Sequence, residues 1–192
     1  MSVAVQTRAP RLVGDLAVWL VIGAEMLAFA ILFISYAVAR ALDVDTFNAS
    51  QATLELTTGA INTALLLSGS WCVARGVHAA RAAQRATSLR WLGATLVCGG
   101  GFVALKCLEF SAKFDQGLDL STNTFYMFYF LLTGFHFLHV VVAMVFLGFV
   151  GVVIARERGT STHLGTLESA AAFWHMVDLL WIVLFPLVYV MR

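Results

Sequence analysis

The sequence predicts an all-α membrane protein, a polytopic bundle of five transmembrane helices in a single membrane domain covering 1–192. Three observations predict it. Of the 192 residues, 60% are hydrophobic and 12% charged, with a mean hydropathy of +0.87. Soluble domains carry about 25% charged residues, so this chain has too few polar side chains to cover a water-facing surface. The apolar residues lie along the whole chain in blocks of about 20, the length that crosses a hydrocarbon core as a helix. The blocks are continuous, without the alternation of a transmembrane β-barrel.

Charges punctuate the blocks and so set the elements. The first helix is expected over 16–39, interrupted only by Glu25, and the second over 54–76, uncharged from Leu56 to Ala74. The third, 89–111, takes in Lys106 and Glu109 at its far end. The fourth, 123–155, is the longest uncharged run and closes at Arg156, and the fifth, 167–191, contains Asp178. Short loops join them. Arg8, Pro10, Arg11 and Asp15 precede a hydrophobic stretch too long for a signal peptide and lacking a small-residue cleavage site, so the first segment is expected to stay as a span. Positive residues crowd the tail (Arg8, Arg11), the second loop (Arg75, Arg81, Arg85, Arg90) and the fourth (Arg156, Arg158). They outweigh Arg40, Lys113 and Arg192, which predicts a cytoplasmic N-terminus and an external C-terminus.

The net charge of +1 gives no footprint for nucleic acid. Cys72, Cys98 and Cys107 show no CxxC spacing and read as small buried hydrophobes. Gly59, Thr63 and Ser70 on the second helix and Gly99, Gly100 and Gly101 on the third are expected to permit close helix approach, and Pro186 to kink the fifth helix.

Glu25, His136, His139, His175 and Asp178 fall near the middle of their blocks. A charge at that depth costs several kcal/mol, so each must face protein or water in a neutral or paired form. Glu25 shares a helical stripe with Phe29, Leu32 and Tyr36, where it acts either as interhelical glue or as a carboxyl that exchanges protons or senses lipid headgroups; desolvation there would leave it open to hydrophobic carbodiimide. His136 and His139, one turn apart, have the spacing of a metal clamp, but further ligands would have to come from other helices. His175 and Asp178 read instead as an internal hydrogen-bonded couple. Haem needs ligands from opposite faces, which one helix does not supply. P-loop, GxSxG and HExxH signatures are absent. The residues alone point to a cofactor-free bundle; a small proton-coupled carrier and a b-type membrane cytochrome are the alternatives.

Four motifs stand in register along the chain. Phe173-Trp174-His175-Met176-Val177-Asp178-Leu179-Leu180-Trp181 resembles the WHFVDxxW signature of cytochrome c oxidase subunit III. Thr133-Gly134-Phe135-His136-Phe137-Leu138-His139-Val140 resembles that family's TGxHxxHV element, Trp19 to Tyr36 its glutamate-bearing helix, and Asn62 to Ser68 its NTxLLLxSS segment. Lys106 stands where many members carry Gln in the QxxEY element, while Glu109-Phe110 keeps most of the rest. By this resemblance the first helix here is expected to correspond to the third of longer members, as in quinol-oxidase versions. Its short loops, its Gly14-Asp15-Leu16 tail and the run Thr122-Asn123-Thr124-Phe125 look most like the NorE-type proteins associated with bacterial nitric oxide reductase.

The resemblance implies a non-catalytic accessory subunit of a haem-copper respiratory oxidoreductase in a bacterial inner membrane, its N-terminus cytoplasmic and its C-terminus periplasmic. It implies no cofactor in this chain, haem and copper or iron residing in the large catalytic partner, and phospholipid in a cleft between helix groups. Carried over residue by residue, it implies that Glu25 is a buried carboxyl tied to proton uptake and durable turnover. It further implies a buried polar network of His136, His139, His175, Asp178, Asn62 and Glu109.

Overall fold

A computed structural model describes residues 16–156 and 163–191 of the chain. Arg8, Pro10, Arg11, Asp15, Arg158 and Arg192, which enter the orientation and leader arguments, lie outside the described residues. Six α-helices follow in order: α1 (Leu16–Leu42), α2 (Val44–Gln51), α3 (Leu56–Arg81), α4 (Arg85–Asp115), α5 (Thr124–Arg156) and α6 (Leu164–Phe185). Pro186, whose ring removes a backbone donor, ends α6, and Pro186–Val190 continues as a π-helical turn. The expected kink is therefore a change of helix type.

Four of the described helices are long and apolar enough to cross a membrane: α1, α4, α5 and α6 with its π turn. The expectation of five such helices is not met by α3. It has the length, 26 residues, or about 39 Å at 1.5 Å per residue. Its composition explains the difference, since Thr57, Thr58, Asn62, Thr63, Ser68 and Ser70 lower its hydropathy. One face of this helix packs against protein along its length, with Gly59, Asn62, Leu66, Gly69, Val73, Gly76, Val77 and Ala80 buried, while Leu56, Ile61, Leu67 and Trp71 are exposed on the other. It runs antiparallel to α6, from Gly59 beside Phe185 to Arg81 paired with Glu168.

One end of the bundle gathers the start of α1, the α3–α4 turn, the end of α5 and the start of α6. Trp19, Arg81 and Glu168 line one cavity there. At the same end, Arg85 donates from Nε to the Ile154 carbonyl at 2.9 Å and from a terminal nitrogen to the Ala155 carbonyl. The guanidinium thus caps carbonyls that the last turn of α5 leaves without partners. Arg85→Ala is expected to cost about 1.5–3 kcal/mol, the range for hydrogen bonds to a charged donor. Amide exchange over 150–156 and the thermal midpoint check it; unchanged protection would mean that the cap contributes nothing.

The opposite end holds α2, which lies in a stretch expected to be loop. Asp43 begins it, its carboxylate accepting from the Thr46 amide at 3.3 Å, and Phe47 seats edge-on against Tyr36. Arg40 at the end of α1 grips it through Gln51 (2.9 Å) and Asn48 (2.8 Å). Between α4 and α5, Asp119 accepts from the Ser121 amide and hydroxyl and from Thr122, bonds that hold its carboxyl below the usual range. Asn123 then caps α5 by accepting from the Tyr126 amide at 2.9 Å.

The core is aromatic and centres on α5 and α6, where Tyr129, Leu132, Val140, Leu147, Trp174 and Trp181 are buried. By contrast α1 buries only Ile22, Phe29 and Tyr36. Of the three cysteines Cys72 is buried, whereas Cys107 is exposed on α4, correcting the expectation that all three are core residues.

Candidate functional site

Phe29 and Tyr36 of the α1 stripe are fully buried and Leu32 packs against the core, so the stripe faces α5 as its spacing requires. That turns Glu25 onto His139: Oε2 lies 3.0 Å from Nε2. The other ring nitrogen, Nδ1, is 2.8 Å from the Phe135 carbonyl. A carbonyl only accepts, so Nδ1 carries the hydrogen. The Nε2 contact with the carboxylate is a hydrogen bond when a proton lies between them, an arrangement that imidazolium with carboxylate and imidazole with carboxylic acid both satisfy. Phe29 and Phe135 stand edge-on to the imidazole at 5.4 and 4.6 Å between ring centres, closing the pair from the side.

His136, one turn before His139, looks elsewhere. It is fully buried among Phe102, Trp181 and Phe29, at 5.7, 5.0 and 6.4 Å between ring centres, and neither ring nitrogen has a hydrogen-bond partner. The two histidines diverge, one toward α4 and α6 and one toward α1. Among the described residues no group of three or more His, Cys, Asp or Glu side chains is arranged to hold a metal.

The expected couple of His175 with Asp178 does not form. Nδ1 of His175 lies 2.9 Å from the Ser70 hydroxyl of α3, and the same hydroxyl neighbours the Asp178 carboxyl. His175 is exposed and not part of a buried network as expected, because its ring turns outward onto the Ser70 hydroxyl. Asp178 is buried with Oδ1 unpartnered, and Asn62 is fully buried with both amide atoms unpartnered.

Glu109 belongs to the most closely knit polar cluster, whose other members sequence reasoning missed. Lys106, fully buried, donates to Glu109 Oε2 at 3.1 Å and to the Tyr189 hydroxyl at 2.6 Å. Tyr129 and Tyr189 both donate to Glu109 Oε1 at 2.6 Å. The rings of Phe110, Tyr129, Trp181 and Tyr189 stand 5.1–5.4 Å from the ammonium, within cation–π reach. Trp181 in turn donates to Thr63 Oγ1 at 2.9 Å, and Thr63 donates to the Gly59 carbonyl. The signal for this cluster was the i, i+3 pair Lys106/Glu109 itself.

A cavity of about 600 Å³ opens between α1, α3 and α6. Its walls are mostly apolar, with His175 on one side and His78 and the Arg81–Glu168 pair at one end.

Comparison with known proteins gives this arrangement a context. The profile of a family described as cytochrome c oxidase subunit III matches residues 14–192. A cytochrome c oxidase subunit 3 of Synechocystis sp. is 33% identical over 88% of this chain and 71% of its own length. A probable cytochrome c oxidase subunit 3 of Nocardia farcinica is 30% identical over 91% of this chain and 85% of its own length. A quinol oxidase subunit 3 of Bacillus subtilis is 29% identical over 90% and 84% respectively.

Proposed function

The chain belongs to the cytochrome c oxidase subunit III family, and we propose that it acts as a non-catalytic, cofactor-free membrane subunit of a haem-copper respiratory oxidoreductase. Its role is to support assembly, stability or proton handling of the large catalytic subunit. The observation that carries this reading is the Glu25–His139 pair. It places an ionisable group at membrane depth where an accessory helix, held by few other buried residues, meets the bundle.

The polar side chains favour a cofactor-free reading because many of them are already engaged: His139 by Glu25 and Phe135, Glu109 by Lys106 and two tyrosines, His175 by Ser70. We take α3 as the fifth span, since it lies antiparallel along α6, and the N-terminus as cytoplasmic. The basic residues support that side: Arg75, Arg81, Arg85, Arg90 and Arg156 gather at or near the end of the bundle where α1 begins. The compact loops and the run Thr122 to Phe125 support a NorE-type subunit working with bacterial nitric oxide reductase in the inner membrane. Phospholipid in the 600 Å³ cavity completes the assignment. Purification from native membranes tests it: the chain is expected to accompany a haem-copper subunit, and separated from it to show no Soret band. A haem bound near one per chain would overturn the reading.

Glu25→Gln separates proton function from packing. The amide keeps the shape and still reaches His139 Nε2, while the exchangeable proton is lost. The variant is expected to assemble normally with the catalytic subunit, to resist hydrophobic carbodiimide, and to let the complex lose activity faster during sustained turnover. Decay curves that coincide with wild type at equal subunit content would leave Glu25 a packing role only.

A further inference from the structure

A second, smaller cavity of about 330 Å³ lies where α3 begins and α4 ends, at the bundle end opposite the cavity described above. Leu105 and Leu108 of α4 form an apolar wall, and Thr53, Glu55, Lys113 and Gln116 line it too. Leu108 is exposed on the outer surface of the bundle, so the wall continues toward the bilayer.

The charges that line this cavity are not all paired with one another. Glu109, at its inner end, is already saturated by Lys106, Tyr129 and Tyr189. Lys113 is not. Its side chain is buried, its ammonium donates to the Thr53 carbonyl at 2.9 Å, and no carboxylate pairs with it among the described residues. A buried ammonium with one neutral acceptor calls for an anion. Glu55, two residues from Thr53, also lines the cavity, an exposed carboxylate bonded only to the Thr58 hydroxyl at 3.0 Å. The cavity thus presents a cation, an anion that is not paired with it, and a greasy wall leading toward the membrane.

We infer that this cavity binds the headgroup of a zwitterionic phospholipid with a primary ammonium, of the phosphatidylethanolamine class. The phosphate meets Lys113, the ammonium meets Glu55, and an acyl chain lies along Leu105 and Leu108. The charged contacts follow from complementarity at the membrane boundary, where headgroups reside. A choline headgroup carries no N–H to donate to Glu55, and a glycerol headgroup carries no cation. The inference rests on the chain being embedded in a bilayer and is independent of which catalytic subunit it joins.

The test uses the full chain in nanodiscs of equimolar phosphatidylethanolamine, phosphatidylcholine and phosphatidylglycerol, released into mild detergent for native mass spectrometry. One phosphatidylethanolamine is expected to be retained in preference to the other two. Lys113→Gln is expected to reduce that retention roughly tenfold, the loss of one charge-assisted contact. Glu55→Gln, an exposed change, is expected to keep phospholipid but lose the preference for ethanolamine over choline. Should Lys113→Gln fail to accumulate, Lys113→Arg is expected to fold and retain the lipid, and Glu55→Gln decides alone. Equal retention of all three headgroups by wild type, an unaltered preference in Glu55→Gln, or displacement of the lipid by millimolar inorganic phosphate would overturn the proposal.

Discussion

Replacing Lys106 by methionine is expected to abolish accumulation of the folded chain or to lower its thermal midpoint sharply. The ammonium is fully buried and is the counter-charge of Glu109. Removing it leaves a carboxylate at membrane depth held by two phenols, and breaking a buried pair on one side costs about 3–5 kcal/mol. Glu109→Gln strands the partner instead, leaving Lys106 with the Tyr189 oxygen and four aromatic faces. The two changes together remove both charges, and the amide oxygen still accepts from Tyr129 and Tyr189. The double variant should therefore be more stable than Lys106→Met alone, with a coupling within the range of about 0.5–3 kcal/mol seen for residues in contact. Size-exclusion yield and thermal unfolding of the four proteins read it directly. Additive losses would mean that the pair contributes through packing and not through charge.

The cluster was half legible before the structure. Lys106 and Glu109 are visible in the sequence at the far end of the third block, where charges usually mark a membrane boundary, and that position conceals their pairing. In the structure α4 continues to Asp115, which puts Lys106 more than two turns inside the helix. Tyr129 lies 20 residues from Glu109 and Tyr189 lies 80 away, and no local period announces contacts between helices so far apart in sequence. The same limit hid the partner of Glu25. Its stripe with Phe29 and Tyr36 was visible, but that the stripe faces His139 depends on which helix α1 packs against.

Spans were readable where the block is apolar throughout, and less marked where polar residues interrupt it. Four blocks satisfy both length and hydropathy because lipid tolerates little else. The second block yields α3, which buries Gly59, Asn62, Gly69 and Gly76 against its neighbours and leaves Leu56, Ile61, Leu67 and Trp71 exposed, so an apolar outer face is diluted by polar and small residues. α2 was missed because eight residues with one aromatic anchor carry too little periodicity to register. The divergence of His136 and His139 follows from helix geometry: three residues at about 100° each leave them about 60° apart, enough to face different neighbours of a central helix.

Gly99→Val is expected to break the junction of α3, α4 and α6, while Gly93→Ala on the same helix is expected to be tolerated. A Cβ at Gly99 would lie 2.8 Å from the Trp174 ring and 2.9 Å from Met144 Sδ, and one at Gly69 of α3 would lie 2.8 Å from the same indole. Two glycines on adjacent helices therefore hold one buried tryptophan between them, and Trp174 is only 1% exposed, so the ring has little room to retreat. At Gly93 a Cβ meets nothing within 4 Å. There alanine should be neutral or mildly stabilising, since glycine in a helix interior costs about 1 kcal/mol relative to alanine. At Gly99 that gain is set against overpacking of about 1–3 kcal/mol or more, and the added branches of valine tip the balance to a net loss. Trp174→Ala attacks the same junction from the other side and should cost about 3–5 kcal/mol by leaving a cavity. Trp174→Phe, which shortens the ring system pressed between the glycines, should partly rescue Gly99→Val while costing stability alone. Thermal midpoints of the single and paired variants test this opposition. A Gly99→Val protein as stable as Gly93→Ala would show that the three helices pack without the close approach at Trp174.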